Sequence, residues 1–446
     1  MTFETVDEVA VEPAIAQVYE HGWQSWSPTT VYPADGSSHR PVRRPAQVMS
    51  YRPGKPAPMQ GFQGEGLLAV DPGAGATVRL YATIDGQSSV PSIRASYVDG
   101  RVVVSADGPV QTLTGSTVDG VLAEWGDGYA ARVGVGPLRA APTAWCSWYH
   151  YFTEVTEADV DENITDIGKF DLPIEVIQID DGWQTEIGDW LTLSDRFASL
   201  TGLVQRIHDT GRRAGIWVAP FLLSARSATV REHPEWLIGG DPGAPVDAGF
   251  NWDADLYAID TTHPGARGYL TEVFGRLREY GFDYFKIDFT YAGALEGSRA
   301  SDVPPLAAYR SGVELVREVI GPDAYLLGCG APILPTVGLV DAMRISSDIA
   351  PTYLSHDGDA SQPGQYSATI STVARAWQHG RFWVNDPDCI VARPEIERRQ
   401  EWAEVVESYG GLRASSDRIA ALDDWGLETT RRLLSEVPPP TPFSLG

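Results

Sequence analysis

From residue 143 onward the sequence repeats one pattern: a short apolar run, a polar residue where the run ends, and then an amphipathic stretch. The amphipathic stretches, such as residues 268–280, 306–320 and 395–409, carry apolar residues at spacings of three and four, which is typical of α-helices that pack on one face. The apolar runs give eight strand candidates: residues 143–148, 175–180, 214–219, 284–289, 325–329, 341–345, 381–385 and 412–415. Eight strands that alternate with helices predict an α/β fold, the (β/α)8 TIM barrel, whose active site lies at the carboxyl ends of the strands.

The part of the chain before this pattern has a different character. Residues 66–133 alternate short apolar runs with turn residues, including a strand candidate at 122–125 and a turn at Asp99-Gly100, and they predict a β-rich region. Residues 27–60 are rich in Pro, Ser and Arg without periodicity and predict a long ordered loop. We therefore expect an N-terminal β-rich domain at 1–140, a catalytic barrel at 141–436 and a proline-rich C-terminal tail at 437–446.

The charge balance narrows the partners that such a chain accepts. Its 446 residues carry 34 Lys and Arg against 60 Asp and Glu, a formal net charge of −26, which repels nucleic-acid backbones and anionic lipid. We expect a small neutral substrate, no nucleic acid and no membrane partner. The longest apolar stretch is far below the roughly 20 residues of a membrane helix, and the acidic start lacks a signal-peptide pattern. Three widely spaced cysteines fit reduced thiols, so a cytoplasmic location is expected.

Two of the strand candidates end in an acid beside a positive charge. Lys286 and Asp288 project to the same side of their strand because side chains alternate along it, and an apolar strand has no packing use for either. Arg344 and Asp348 follow at the end of a later candidate. With the acids and aromatics at the other strand ends, they would surround one cavity. Carboxylates accept hydrogen bonds from hydroxyl groups, Lys and Arg donate them, and tryptophan covers an apolar ring face, so the set is typical of a sugar-binding site.

Six motifs along the barrel resemble those of one enzyme family. They are Trp145-Cys-Ser-Trp-Tyr-His-Tyr, Ile179-Asp-Asp-Gly, Gly215-Ile-Trp-Val-Ala-Pro, Tyr284-Phe-Lys-Ile-Asp-Phe, Leu327-Gly-Cys-Gly and Arg381-Phe-Trp-Val-Asn-Asp-Pro-Asp. In this order they resemble glycoside hydrolase family 36 of clan D, the α-galactosidases or melibiases, and the match runs from residue 24 to about residue 417. The resemblance implies a retaining exo-hydrolase with a β-sandwich-like domain before the barrel. The chain departs from the family in a shorter N-terminal segment and a reduced C-terminal region.

The chemistry of a retaining glycosidase assigns the two strand-end acids. Such an enzyme needs one ionised carboxylate to attack the anomeric carbon and one protonated carboxyl to protonate the leaving oxygen, about 5 to 5.5 Å apart. Asp288 suits the nucleophile, and Lys286 should favour its ionised form. Asp348 suits the acid/base, because negative charge on Asp288 would keep it protonated until the glycosyl-enzyme forms.

The resemblance also implies which residues bind the sugar. Asp180 and Asp181 match the pair that holds the 4-hydroxyl and the 6-hydroxyl of galactose. Further members of the implied set are Trp217 as a pocket wall, Lys286 at the 3- and 4-hydroxyls, Cys329, Gly330 and Arg344 near the 2-hydroxyl, Trp148 in the first barrel motif, and Trp26 at the rim. No metal site and no cofactor are implied, since the sequence has no zinc-ligand spacing, no HExxH and no Walker motif.

Each assignment has a structural alternative. Asp348 could form only an ion pair with Arg344, one of Asp180 and Asp181 could be a helix cap, and Cys329 could serve packing. Trp217 and Trp26 could be core residues. The acidic run at 385–388 predicts hydrogen bonding at a strand end rather than calcium binding, because it lacks EF-hand spacing.

The expected function is hydrolysis of terminal, non-reducing α-D-galactosyl residues from oligosaccharides such as melibiose or raffinose by double displacement. An α-galactosyl transglycosylase, an α-N-acetylgalactosaminidase and a non-catalytic galactoside-binding protein remain as alternatives. The sequence leaves the oligomeric state open.

Overall fold

The N-terminal part of the molecule is built from two antiparallel sheets. The computed structural model describes residues 2–38, 40, 44–240 and 243–444. The N-terminal strands within them are β1 (Glu4–Ala10), β2 (Gln17–Glu20), β3 (Thr30–Pro33), β4 (Phe62–Glu65), β5 (Leu67–Asp71), β6 (Val78–Thr83), β7 (Ser92–Val98), β8 (Arg101–Ala106) and β9 (Val110–Gly115). One sheet has the order β1-β8-β7-β4 and the other β3-β2-β5-β6-β9. Val9 and Ile93 of the first share a buried cluster with Val18 and Val70 of the second, so the expected sandwich-like packing is confirmed.

The turn predicted at Asp99-Gly100 joins β7 to β8. Val98 pairs with Arg101 across the hairpin, which leaves two residues in the turn. Asp99 has φ of 46° and Gly100 has φ of 79°, the left-handed pair that a tight two-residue hairpin requires. The local sequence therefore determines this turn.

The strand predicted at residues 122–125 is wrong, because these residues lie inside a helix, α2 (Val118–Val133). The side chain of Thr117 caps its first turn by accepting from the N–H of Gly120. Leu122, Trp125 and Tyr129 are buried at spacings of three and four, the period of a helix. A four-residue apolar run does not separate helix from strand, and packing against β6 and β9 decides the outcome.

The long loop predicted at residues 27–60 contains two regular elements. β3 pairs with β2 in register Tyr19 to Val31, and a short helix, α1 (Arg44–Ser50), follows. Residues 39 and 41–43 of this predicted loop lie outside the described residues. The prediction of a loop throughout is therefore wrong. Its sequence shows no amphipathic period because both elements form through contacts with distant parts of the chain.

All eight predicted barrel strands are confirmed. They are β10 (Ala144–Cys146), β11 (Val176–Ile179), β12 (Arg213–Val218), β16 (Tyr284–Ile287), β17 (Tyr325–Gly328), β18 (Ala342–Arg344), β19 (Val384–Asp386) and β20 (Ala414–Ser415). They pair in parallel in the order β19-β18-β17-β16-β12-β11-β10-β20. The N–H of Leu412, ahead of β20, donates to the carbonyl of Asn385 in β19 at 2.9 Å, which brings the two outer strands together as a barrel requires.

Helices and one additional sheet surround these strands. The further helices are α3 (Trp148–Tyr151), α4 (Glu157–Lys169), α5 (Leu200–Asp209), α6 (Ala228–Glu232), α7 (Pro264–Glu279), α8 (Pro305–Ile320), α9 (Ile333–Thr336), α10 (Gln365–Ala374), α11 (Arg399–Tyr409) and α12 (Asp424–Ser435). The additional sheet consists of β13 (Leu222–Ser224), β14 (Asp247–Asn251) and β15 (Ala254–Ala258) in the order β13-β15-β14. It follows the third barrel strand at its carboxyl end, where the active site of a barrel lies.

One continuous apolar core joins the five-stranded sheet to the barrel. Tyr19 and Leu80 of that sheet belong to the same buried cluster as Trp145 and Phe285 of the barrel. We propose that the division between the two parts lies between Val133, where α2 ends, and Ala144, where β10 begins. In the described part of the chain no helix is long and apolar enough to span a bilayer. Residues 445 and 446 of the predicted tail lie outside the described residues.

Candidate active site

The acids singled out in the sequence lie at one edge of the barrel. Asp180 follows β11 and Asp288 follows β16, while Asp348 lies in the loop after β18. Since all eight strands are parallel, their carboxyl ends face the same side. The fold thus brings together side chains that are far apart in sequence.

The carboxylate of Asp288 accepts two hydrogen bonds, one on each oxygen. The indole N–H of Trp217 donates to Oδ2 at 3.0 Å, and the backbone N–H of Phe289 donates to Oδ1 at 2.7 Å. Trp217 lies on β12 beside β16, so the sheet register places its ring next to this acid. Phe289 has φ of 51°, which turns the chain sharply after Asp288. Two N–H donors in fixed positions suit a carboxylate that carries negative charge.

Lys286 pairs directly with Asp180. Its Nζ lies 3.0 Å from Oδ2 of Asp180, and both side chains are almost fully buried. Burial alone would lower the pKa of Lys286, but the negative charges of Asp180 and then Asp288 outweigh it and hold this pKa well above its usual value. The sequence analysis expected Lys286 to favour the ionised form of Asp288, and the hydrogen bond of Lys286 goes to Asp180.

Asp180 and Asp181 are both buried and both hydrogen-bonded. Besides Lys286, Oδ2 of Asp180 accepts from Nε2 of Gln178 at 2.7 Å. Oδ1 of Asp181 accepts from Nε2 of Gln184 at 2.6 Å, and its Oδ2 accepts from the indole N–H of Trp252 at 2.7 Å. Burial raises the pKa of Asp181 to about 6, although the hydrogen bonds from Gln184 and Trp252 oppose this rise. A carboxylate has about four acceptor sites. Asp181 uses two of them and keeps capacity for substrate hydroxyl groups, whereas Asp180 also accepts from the Cys146 thiol and from the backbone N–H of Asp181.

Arg344 is enclosed by three carboxylates. Its Nη1 lies 3.0 Å from Oδ1 of Asp348, its Nε 3.2 Å from Oδ2 of Asp386, and its Nη2 2.7 Å from Oδ1 of Asp388. Burial tends to lower the pKa of Arg344, but the charges of Asp388 and Asp386 raise it well above its usual value. The acidic run at 385–388 thus has the hydrogen-bonding role that the sequence predicted.

Asp348 is the more accessible of the two candidate catalytic acids. Its side chain is 30% exposed, whereas Asp288 is 6% exposed. Burial among apolar and acidic neighbours and the charge of Asp388 raise the pKa of Asp348 to about 7, against the opposing effect of Arg344. The charge of Asp288 raises this pKa further. The expected cause was Asp288 alone, whereas burial and Asp388 contribute more.

A cavity of about 290 Å³ opens beside Asp348. Trp26, Phe289 and Ser347 lie in its wall, together with residues of α1 and β14. The rings of Trp26 and Phe289 meet edge to face at 4.8 Å, so the N-terminal part of the chain contributes to the wall of this cavity. Among the described residues no acceptor is found for the buried indole N–H of Trp26.

Gly330 must be glycine for two reasons. Its φ of 52° lies in the left-handed region, and a Cβ at this position would lie 2.8 Å from the backbone nitrogen of Phe289 and 3.0 Å from Oδ1 of Asp288. Cys329 before it is fully buried, and burial raises the pKa of its thiol well above the usual value. The turn after β17 therefore approaches the candidate nucleophile closely.

Trp148 follows β10 at the same edge of the barrel, but its ring contact is with Phe152, at 5.3 Å. Its place in the sugar-binding set stays a prediction. Sequence reasoning missed Trp252 and Tyr149, whose hydroxyl donates to Oδ2 of Asp388. Tyr149 stands within a quoted motif, but Trp252 belongs to none, and only its hairpin brings it to Asp181.

The described ranges contain no group of three or more His, Cys, Asp or Glu side chains arranged to hold a metal ion. The carboxylates of this edge instead face Lys286, Arg344 and N–H donors. The arrangement places several acids and the hydrogen-bonding groups around them at one edge of the barrel, and such groups can transfer protons and attack a hydroxyl-rich substrate.

Comparison with known proteins agrees with this geometry. Residues 137–304 match the family model of melibiase. An α-galactosidase from Thermus thermophilus, solved in complex with p-nitrophenyl α-D-galactopyranoside, superposes with a TM-score of 0.78 at 26% identity, over 98% of this chain and 92% of that one. The same enzyme has also been solved in complex with stachyose.

Curated relatives match shorter stretches. The α-galactosidase AgaA of Geobacillus stearothermophilus is 26% identical over 170 residues, 36% of this chain and 22% of that protein. The bifunctional α-galactosidase/sucrose kinase of Mediterraneibacter gnavus is 30% identical over 111 residues, 23% of this chain and 11% of that protein. The matched part of the chain thus spans less than a quarter of these relatives' length. Residues 137–304 are thus similar to melibiase, and the resemblance of the motifs of this chain to the α-galactosidases of glycoside hydrolase family 36 is confirmed.

Proposed function

We propose that this protein is a retaining α-galactosidase that releases terminal α-D-galactosyl residues from oligosaccharides of the melibiose and raffinose type. The observation that carries the proposal is the contrast between its two strand-end acids. Asp288 accepts two N–H hydrogen bonds, as suits an ionised nucleophile, whereas the pKa of Asp348 is raised to about 7, as suits a protonated acid. A retaining glycosidase requires this division of roles.

In the first step, an oxygen of Asp288 forms a bond to the anomeric carbon while the bond from that carbon to the leaving oxygen breaks. Asp348 gives its proton to that oxygen, so the aglycone departs as a neutral alcohol. A covalent galactosyl-enzyme remains, and Asp348 is now ionised. The hydrogen bonds from Trp217 and Phe289 hold Asp288 in place before the attack.

In the second step, water attacks the anomeric carbon and displaces Asp288. Asp348 takes a proton from this water and is ready for the next cycle. Esterification removes the charge of Asp288, one of the charges that raise the pKa of Asp348. The pKa of Asp348 therefore falls in the intermediate, which leaves its carboxylate free to act as a base.

Substrate selection is assigned to the acids on the neighbouring strands. We propose that Asp180, paired with Lys286, and Asp181 accept hydrogen bonds from the sugar hydroxyl groups. We propose that Trp217, whose indole N–H donates to Asp288, bounds the sugar beside that acid. Trp26, in the cavity wall next to Asp348, is proposed to bound the side where the aglycone leaves. Galactose has an axial 4-hydroxyl, which can donate to buried acceptors of the site. Glucose has an equatorial 4-hydroxyl that does not reach them, so these buried acceptors would stay unpaired and glucose would bind less well.

We also propose that the protein works in the cytoplasm on small carbohydrate substrates. Its three cysteines are free and buried, which fits a reducing environment. A net charge of −26 disfavours nucleic acid and anionic membranes as partners.

Separate variants of the two acids test the mechanism. Asp288→Ala is expected to abolish turnover, because no group then attacks the anomeric carbon. Asp348→Ala should still form the intermediate rapidly from p-nitrophenyl α-D-galactopyranoside, whose good leaving group needs little protonation, and should regain turnover with azide as nucleophile. The measurements are burst kinetics and identification of the galactosyl azide.

Three substrates provide the matched comparison. The wild type should cleave the nitrophenyl α-galactoside much faster than the α-glucoside or the α-N-acetylgalactosaminide. Faster cleavage of the α-N-acetylgalactosaminide would contradict the proposed specificity and would favour an α-N-acetylgalactosaminidase. Equal loss of activity in both variants, with no response to azide, would refute the assigned roles.

A further inference from the structure

The hairpin between β14 and β15 places a tryptophan where a turn normally carries small residues. Asn251 pairs with Ala254, so the turn consists of Trp252 and Asp253 alone. Their φ values are 49° and 56°, a left-handed pair that Asn-Gly adopts with little strain and that costs a bulky residue roughly 1–2 kcal/mol. Strain of this kind persists where the surrounding structure holds the backbone in place, and it is found often at active sites and ligand-binding sites.

The backbone of this turn is clamped by Arg226. Its Nη2 donates to the carbonyl of Trp252 at 2.8 Å, and its Nη1 donates to the carbonyl of Asp253 at 3.4 Å. Its Nε pairs with Oε2 of Glu186 at 3.0 Å. Glu186 belongs to the loop that follows Asp181, so one guanidinium ties the hairpin tip to that loop.

The indole of Trp252 connects two parts of the candidate site. Its N–H donates to Oδ2 of Asp181 at 2.7 Å, and its ring lies 5.0 Å from the ring of Phe289, the residue after Asp288. Gln184 holds the other oxygen of Asp181 at 2.6 Å. The two donors act on opposite oxygens, so they fix the rotation of the carboxylate as well as its position.

Asp180 and Asp181, which are neighbours in the sequence, have different hydrogen-bond partners. Lys286 pairs with Asp180 at 3.0 Å. The resemblance implies that Lys286 reaches the 3- and 4-hydroxyls of the sugar, so the proposed function places Asp180 on that side. Asp181 is connected to Trp252 and Gln184 instead. Of the two hydroxyls proposed for this pair, the 4-hydroxyl then falls to Asp180 and the 6-hydroxyl to Asp181.

We propose that Trp252 is a positioning residue that sets the preference of this enzyme for galactosides with a free 6-hydroxyl group, by holding Asp181 in the orientation that accepts this hydroxyl. The inference rests on the proposed function and adds a specificity determinant to it.

Trp252→Phe tests the inference, because phenylalanine keeps an aromatic ring near Phe289 and removes the N–H. The two substrates are p-nitrophenyl α-D-galactopyranoside and its 6-deoxy analogue. We expect the ratio of their kcat/KM values to fall about tenfold in the variant, since only the substrate with a 6-hydroxyl loses a well-placed acceptor. An unchanged ratio, or an equal loss on both substrates, overturns the inference, because a merely structural role would affect both alike.

Two further variants guard against misfolding and general effects. Gln184→Met removes the other hydrogen bond to Asp181 without touching the hairpin, and it should lower the same ratio. Trp236→Phe changes another partly buried indole, which is stacked on His233 at 3.8 Å, and should leave the ratio unchanged. If Gln184→Met and Trp252→Phe both keep the wild-type ratio, the inference is wrong whatever their stability.

Calorimetric binding of D-galactose and 6-deoxy-D-galactose separates this inference from the proposed function. Suppose that the wild type cleaves neither glycoside but binds galactose more tightly than 6-deoxy-D-galactose, and that Trp252→Phe reduces this preference. This result supports the inference and refutes the proposed hydrolase activity. A wild type that cleaves galactosides while the variant retains the preference refutes the inference alone. A wild type that binds neither sugar refutes both.

Discussion

At the scale of single residues, the surroundings of an acid decide its chemistry. Asp288 and Asp348 have the same side chain, yet one accepts two N–H bonds and the other lies beside a second carboxylate, Asp388. Arg344 connects Asp348 to Asp388, because its guanidinium contacts both. Asp388 is in turn fixed by the backbone N–H of Ile349, which donates to its Oδ2 at 2.9 Å. Positions of charge, rather than residue type, thus distinguish the two side chains, and the proposed role of Asp348 as the acid rests on this difference.

The pH dependence of activity follows from the raised pKa of Asp348. This carboxyl must be protonated to act as an acid, so kcat/KM for melibiose should fall as the pH rises through about 7. Asp388→Asn removes a negative charge that raises this pKa, so the fall should move to lower pH. The measurement is the pH profile of kcat/KM in both proteins.

Asp386→Asn is the matched control for that shift. Asp386 contacts Arg344 at Nε, whereas Asp348 contacts it at Nη1 and Asp388 at Nη2. The change should therefore move the profile less than Asp388→Asn does. A profile that stays in place in Asp388→Asn would contradict the electrostatic account of Asp348.

At the scale of elements, the turns after the barrel strands shape the site. The turn after β17 passes so close to Asp288 that position 330 has no room for a side chain. The turn between β14 and β15 extends Trp252 to Asp181. Regular strands place the acids at one edge, and these irregular turns decide how closely other groups approach them.

Gly330→Ala should disrupt catalysis as well as stability. The added Cβ meets the backbone of Phe289 and the carboxylate of Asp288, and the left-handed φ adds roughly 1–2 kcal/mol of strain. We expect kcat to fall at least tenfold, measured with the nitrophenyl galactoside beside thermal unfolding.

Gly338→Ala separates the two effects. Gly338 has φ of 86°, and a Cβ added there would have no atom within 4 Å. Gly338→Ala therefore imposes the backbone strain without a steric contact. We expect about 1 kcal/mol of lost stability and unchanged kcat. Equal kinetic losses in both variants would show that the close approach at Gly330 has no catalytic role.

At the scale of the whole molecule, one buried cation ties the N-terminal part to the barrel. Arg375, which follows α10, donates to the carbonyls of Ser25 and Ile345 at 2.8 Å each, and also to those of Gly22, Gln24 and Ser27. Burial lowers the pKa of its guanidinium to about 10. The loop it holds carries Trp26, and Ile345 lies between Arg344 and Asp348. The orientation of the cavity wall therefore depends on a residue that never lines it.

Arg375→Leu should destabilise the protein by roughly 3–5 kcal/mol, because several buried carbonyls lose their donor. Urea unfolding measures the change. Arg276→Leu is the control, since Arg276 is 48% exposed and its partners Glu272 and Glu279 lie 3.8 and 3.7 Å away, and exposed pairs contribute less than about 1 kcal/mol. Similar losses in both variants would contradict the linking role of Arg375.

The sequence by itself determined the barrel and its principal acids. The eight strands could be predicted because a strand buried in a parallel sheet must be apolar along its length and polar where it ends, as at Lys286 and Asp288. The Asp99-Gly100 turn was also predictable from the local sequence, because few residues adopt the left-handed φ values that a two-residue hairpin requires.

Only the tertiary structure decided which charges meet. The partner of Lys286 is 106 positions away, and the three partners of Arg344 come from two different strand ends. Trp252 reaches Asp181 across 71 positions, and residues 122–125 form a helix because Leu122 and Trp125 pack against a sheet. Such contacts depend on how strands and loops are arranged in space, and electrostatic energy depends on those distances, which a local sequence pattern does not contain.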